Sequence, residues 1–99
     1  MNTEILTLVV TFQAKPGKEN DLRTVLTNVL APTRKEAGCL NYDLHVSSGD
    51  PARFLIHENW ASKAHHLAHH NSPHIQALLP RLEELCAPSP QVTVWRRIG

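Results

Sequence analysis

Two rhythms of apolar residues alternate along this chain. Residues 5–14, ILTLVVTFQA, are rich in β-branched side chains and stop at Lys15-Pro16-Gly17, which predicts a first strand. Apolar side chains there fall on both parities, Ile5 and Val9 on one and Leu6, Leu8, Val10 and Phe12 on the other, so this strand is expected to be covered on both faces. From about residue 18 the rhythm changes. Leu22, Val25, Leu26, Val29 and Leu30 recur at i, i+3, i+4, i+7 and i+8, the stripe of an amphipathic helix. Pro32 should bend that helix or start a further turn, and Gly38 is placed to end it.

Residues 39–47, CLNYDLHVS, alternate again, with Leu40, Tyr42, Leu44 and Val46 on one face and Asn41, Asp43 and His45 on the other. Ser48-Gly49-Asp50-Pro51 reads as a hairpin turn into a return strand over 53–60. In that strand Glu58 shares its parity with Phe54, Ile56 and Trp60, which predicts a carboxylate that is partly buried or beside a pocket. Residues 61–71 read as helix until Asn71-Ser72-Pro73, where Ser72 suits an N-cap and Pro73 the first position of a new helix. Ile75, Leu78, Leu79, Leu82 and Leu85 give this helix its stripe, and Pro80 is expected to kink it. Ala87-Pro88-Ser89-Pro90 is a linker, and residues 91–97 form a last strand.

The order β-α-β-β-α(α)-β is the split βαβ pattern of a ferredoxin-like α+β sandwich, and 99 residues allow one domain spanning 1–99. Helices on one face would leave the other face of the sheet bare. If that face is apolar, a homodimer packed sheet against sheet is the simplest cover.

Charge narrows the partners. A net charge of +1 and no run of Lys or Arg give no reason to expect nucleic acid or an anionic membrane. The apolar run near the N-terminus is too short to span a bilayer and lacks a basic flank, so a cytoplasmic protein is expected. Cys39 and Cys86 form no CxxC and read as reduced, buried small hydrophobes.

Five of the seven histidines fall in AHHLAHHNSPH, residues 64–74. The pairs His65–His69 and His66–His70 have the i, i+4 spacing that can place two imidazoles on one metal. No acid lies between them in a HExxH pattern, and a third ligand would have to come from His74 or from another element. No metal site is therefore assigned.

The segments KPGKENDL, EAGCLNYDLH, FLIHENW and AHHNSPHIQALL, in this order and at these spacings, strongly resemble the antibiotic biosynthesis monooxygenase domain family over about residues 5–97. The resemblance implies a dimeric α+β barrel with a pocket between sheet and helices in each subunit. It also implies chemistry in which several members oxygenate polycyclic phenols, or oxidise quinols, without metal, haem or flavin. A phenol stripped of its proton is electron-rich enough to reduce dioxygen itself. The protein then needs an apolar pocket, a base of near-neutral pKa and donors for an oxyanion.

His69 and His74 match the family's recurring pair, one His near the helix end and one five residues on, after Ser-Pro. With Glu58 they are the candidate catalytic residues. The competing structural role for the two histidines is to cap the helix junction with their ring nitrogens. Tyr42, His45, His57 and Trp60 are the candidate substrate-binding residues. Tyr42 is core or pocket wall, and His57 faces either pocket or dimer interface. His45 lies on the side of Asp43, where the two could pair, and Trp60 suits the core as well as a ligand. His66 reads as a packing residue, and His65 and His70 as solvated. The wider superfamily's haem-cleaving branch carries a Trp nine residues after the strand's Trp. That position is His69 here, which disfavours haem.

The expected function is a cofactor-free monooxygenase acting on a quinol-like or polyphenolic small molecule, with dioxygen as co-substrate and a His as proton acceptor. The alternatives are an isomerase or tautomerase on a small oxygenated metabolite, and a non-catalytic small-molecule-binding dimer.

Overall fold

The computed structural model describes residues 4–99. The elements follow the sequence pattern in order: β1 (Leu6–Gln13), α1 (Glu19–Asn28), α2 (Leu30–Arg34), β2 (Cys39–Val46), β3 (Arg53–Trp60), α3 (Lys63–His70), α4 (Pro73–Leu85) and β4 (Gln91–Trp95). The strands form one antiparallel sheet in the order β2-β3-β1-β4, a ferredoxin-like α+β fold. The core lies between the sheet and the helices. Leu8, Phe12, Phe54, Ile56 and Trp60 meet Leu22, Leu26, Ile75, Leu78, Leu82 and Leu85 there.

The long helix expected after residue 18 is divided at Val29 into α1 and α2. Pro32 has no N–H to give the carbonyl four residues back, that of Asn28, and α1 ends at that residue. Pro80 sits inside α4 without ending it. Gly38 stops the helical segment with a φ of +81°, a conformation that favours glycine. A Cβ at this position would also overlap the His65 ring. Gly38 offers its carbonyl to Ala61 N–H at 2.8 Å, which ties the start of β2 to the end of β3.

Four expectations are corrected. β1 is not covered on both faces: Leu8 and Phe12 are buried, whereas Thr7, Val9 and Thr11 on the other face are only half-buried, because every helix lies on one side. The bare face is also largely polar. Thr7 and Asn59 hydrogen-bond across β1 and β3, and Asn59 donates to Asn41 Oδ1 at 2.7 Å. Leu40 does not share a face with Tyr42, Leu44 and Val46. A β-bulge between Cys39 and Asn41 shifts the register, and Leu40 is exposed. The last strand ends at Trp95 rather than residue 97.

Candidate active site

The α3–α4 junction sets the site. Ser62 caps α3, its hydroxyl accepting from His65 N–H at 3.2 Å. At the far end the loose carbonyls are met by neighbouring side chains. Ser72 Oγ donates to the His69 carbonyl at 2.7 Å, and Gln76 Nε2 donates to the His70 carbonyl at 2.8 Å. Ser72 occupies the N-cap position of α4, as its sequence suggests, but its hydroxyl serves α3 instead. The backbone at this break is thus satisfied without imidazole, which leaves the rings of His69 and His74 for other contacts.

His69 is buried beneath the helix, its ring centroid 4.5 Å from that of Trp60 and 5.3 Å, edge-on, from that of Tyr42. Its Nδ1 lies 2.7 Å from Oε2 of Glu36, a residue in the turn between α2 and β2. His74 Nε2 lies 3.0 Å from the same oxygen. A carboxylate only accepts, so in that form Glu36 would take an N–H from each ring. Among the described residues no buried side-chain nitrogen or oxygen lacks a hydrogen-bond partner. His69 Nε2 makes no hydrogen bond with any of them, so it reaches open space, and the ring lines a cleft of about 900 Å³.

That cleft runs between the sheet and α4. Val10, Phe12, Ile56, Leu78, Leu82 and Val92 form its apolar walls, while Tyr42, Glu58, His66, His69 and His70 gather polar groups on the β2, β3 and α3 side. Glu58 is buried and accepts from Trp60 Nε1 at 2.8 Å. Burial pushes its carboxyl up to about 7, against the Trp60 hydrogen bond and with the nearby Glu36 charge adding to the rise. Burial moves His69 the opposite way, below the usual imidazole value, although the Glu36 hydrogen bond resists. His66, whose Nε2 is 3.9 Å from Glu58 Oε1, is also lowered by burial. At neutral pH the cleft therefore presents a neutral imidazole near a carboxyl that retains much of its proton, an acid and a base separated by environment.

Strand parity and the helix break decide where the other candidates stand. Glu58, His69 and Tyr42 meet at the cleft. Trp60 is fully buried and does not line the cleft; its ring lies against His69 and its Nε1 donates to Glu58. His57 and His45 belong to the opposite sheet face, because they alternate with Glu58 and Leu44. His57 contacts Asn41 there, and Asp43 bonds Arg34 and Asn41 rather than His45. His74 does not line the cleft and stands behind Glu36. His65 is not free in solvent, since its Nδ1 lies 2.7 Å from Ser62 Oγ and its ring fills the space over Gly38. His70 is exposed and lies at the cleft edge.

Glu36 escaped the sequence reading. It lies in an irregular turn, where neither helical nor strand periodicity assigns a face, and a charged turn residue reads as solvated. The signal available was its place in the segment EAGCLNYDLH. The ligating atoms of Glu36, His69 and His74 lie within 4.8 Å of one another, near enough for an ion to draw them together. The 2.7 and 3.0 Å separations are hydrogen-bond lengths, and the three groups satisfy one another without an ion.

Comparison with known proteins matches this frame. The family described as "Antibiotic biosynthesis monooxygenase" matches residues 5–81. The chain belongs to that family. It is 30% identical over 92 residues to the Mycobacterium tuberculosis protein Rv0793, whose name assigns it provisionally to the monooxygenases, covering 93% of this chain and 90% of that one. The crystal structure of PA3566 from Pseudomonas aeruginosa superimposes with a TM-score of 0.92 at 34% identity, covering 100% of this chain and 98% of the other. Protein SO0527 from Shewanella oneidensis superimposes with a TM-score of 0.90 at 30% identity, covering 97% and 93%. Among the described residues of this family member, no helix is long and apolar enough to cross a membrane.

Proposed function

We propose that this family member is an enzyme, a cofactor-free monooxygenase whose substrate is a flat, largely apolar phenol of the quinol or anthrone type. The observation that carries the reading is the setting of His69: Nδ1 held on a carboxylate, Nε2 without a hydrogen-bond partner among the described residues, and the side chain lining an apolar cleft. A neutral imidazole so placed is a general base. A positioned base of this kind contributes about 10²–10⁴-fold to a rate.

In this reading the phenolic O–H gives its proton to His69 Nε2. The imidazolium is stabilised by Glu36, and the Glu58 carboxyl and the Tyr42 hydroxyl are among the groups at the cleft able to donate to the phenolate oxygen. The electron-rich anion then reduces dioxygen. Dioxygen adds at a ring carbon that bears hydrogen; that C–H and the O–O bond then break, leaving one oxygen as a new carbonyl. The expelled hydroxide leaves as water with the proton returned by His69, all four electrons being drawn from the substrate. The apolar walls hold the ring system and keep water from the anion.

The working form in this proposal is a homodimer. Val94 and Trp95 of β4 and Ile98 beyond it are exposed, and a second copy is the cover proposed for them.

The test is oxygen uptake by metal-free protein in chelator, with a panel of quinols and anthrones. The expected result is substrate-dependent uptake that gives the oxygenated ring and stops under nitrogen. Conversion of substrate under strict anaerobiosis would move the protein to proton-transfer chemistry alone, and no uptake with any of the panel would count against the proposal.

A further inference from the structure

His74 poses a question that the cleft does not answer. It lines no part of the pocket, yet its Nε2 is surrounded by oxygens: Glu36 Oε2 at 3.0 Å, Thr33 Oγ1 at 3.1 Å and Ser72 Oγ at 3.3 Å. Thr33 is fully buried, and the Glu36 side chain is only 16% exposed. One carboxylate oxygen thus receives two imidazole N–H groups, one from each side of the α3–α4 break, and the carboxylate comes from a turn 33 residues before His69. A single donor would leave Glu36 able to swing on its side-chain bonds or to take the proton of His69. Two charge-assisted donors oppose both motions.

We propose that Glu36 and His74 are a positioning pair acting through His69. Glu36 fixes His69 in the Nδ1–H form with its Nε2 lone pair toward the cleft, and His74 holds the Glu36 carboxylate in place. Neither residue touches substrate. The proton that His69 accepts remains on its ring and returns through the cleft, and Glu36 stays a carboxylate throughout. This inference rests on the reading of His69 as the base. A carboxylate behind a catalytic imidazole acts in this way in serine proteases, where the amide variant leaves the geometry intact, puts the ring in the wrong tautomer and lowers turnover by about 10⁴-fold.

The experiment begins with wild-type protein labelled with ¹⁵N in its imidazoles and kept in chelator at pH 8. Two-bond ¹H–¹⁵N correlation spectra report which nitrogen of each ring carries the proton. His69 should appear as the Nδ1–H form and His74 as the Nε2–H form. In Glu36→Gln, whose amide can donate as well as accept, His69 should shift toward the Nε2–H form and kcat should fall at least about 100-fold with KM changed little. His74→Leu should lower kcat about 10-fold, and His74→Gln, which keeps an N–H, should recover most of that loss. Nε2–H at His69 in the wild type would overturn the proposal without any variant. So would an Glu36→Gln protein with unchanged tautomer, whether or not its melting temperature drops, since that is what a purely structural bridge would give. If the wild type turns over nothing, the tautomer spectra still decide the positioning role, and only the monooxygenase reading fails.

Discussion

Two side chains at one wall of the cleft are shifted by burial in opposite senses, and that makes the residue scale testable. Glu58 is raised to about 7 in an environment shared with Trp60, His66, Tyr42 and Glu36. His69, facing Glu36, His74, His70 and His66, is lowered. If neutral His69 is the base and protonated Glu58 a donor, kcat/KM rises as His69 loses its proton, below the usual imidazole range, and falls as Glu58 ionises near pH 7. Glu58→Gln should remove the alkaline limb and leave the acid limb. Stability carries the same signature. A carboxyl raised in the folded state holds its proton where the unfolded chain has released it, so its contribution declines as pH rises from about 4.5 through 7. Urea unfolding of wild type and Glu58→Gln should therefore diverge by about 3 kcal/mol between pH 4.5 and 8, with the wild type losing ground. A constant difference across that range would contradict the buried, raised carboxyl. Glu58 was legible in the sequence because its parity put it among large apolar neighbours. His69 was legible through the spacing to Ser72-Pro73 and the family pattern. The partner that orients His69 was not, because Glu36 is brought there by tertiary structure from a turn with no period of its own.

Elements were readable wherever one face is buried. The alternation in β3 and the stripes in α1 and α4 name most of the residues that pack: the structure buries Leu22, Leu26, Ile75, Leu78 and Leu82, whereas Leu79, placed in the α4 stripe, is exposed. The bulge at Leu40 was not readable, since one extra residue reverses parity and a Leu fits either face. Gly38 shows how closely an element boundary is specified. Its positive φ and its contact with the His65 ring both exclude a side chain. Gly38→Ala should cost about 1–2 kcal/mol from backbone conformation alone, plus the cost of moving His65. His65→Ala should return only the second part, so chemical denaturation of the two single variants and the double variant should show coupling of the two sites. Additive losses would mean that the ring moves aside freely.

At the scale of the whole molecule, one decision shapes everything else: all helices lie on one face of the sheet. That builds the cleft, and it leaves β4 with little cover. Val92, Val94 and Trp95 are 57%, 64% and 58% exposed. The sequence called for a partner on the ground that the bare face of β1 is apolar. The structure makes that face mostly polar, and exposed apolar side chains occur in a run on β4 and at Ile98, with others at Ile5, Leu40, Val46, Leu67 and Leu79. Light scattering should therefore give twice the chain mass for the wild type and a lower mass for Val94→Asp; a monomeric wild type would remove the dimer. The central claim, that the cleft binds a phenol and His69 takes its proton, can be tested before oxygen enters. An anthrone or quinol with distinct phenol and phenolate absorption is titrated with protein under nitrogen at pH 7, in chelator. The account predicts that wild-type protein binds it as the red-shifted phenolate, and that His69→Gln binds it with little loss of affinity as the neutral phenol. A bound phenol that stays neutral in the wild type, or a phenolate that forms equally well in His69→Gln, would contradict it.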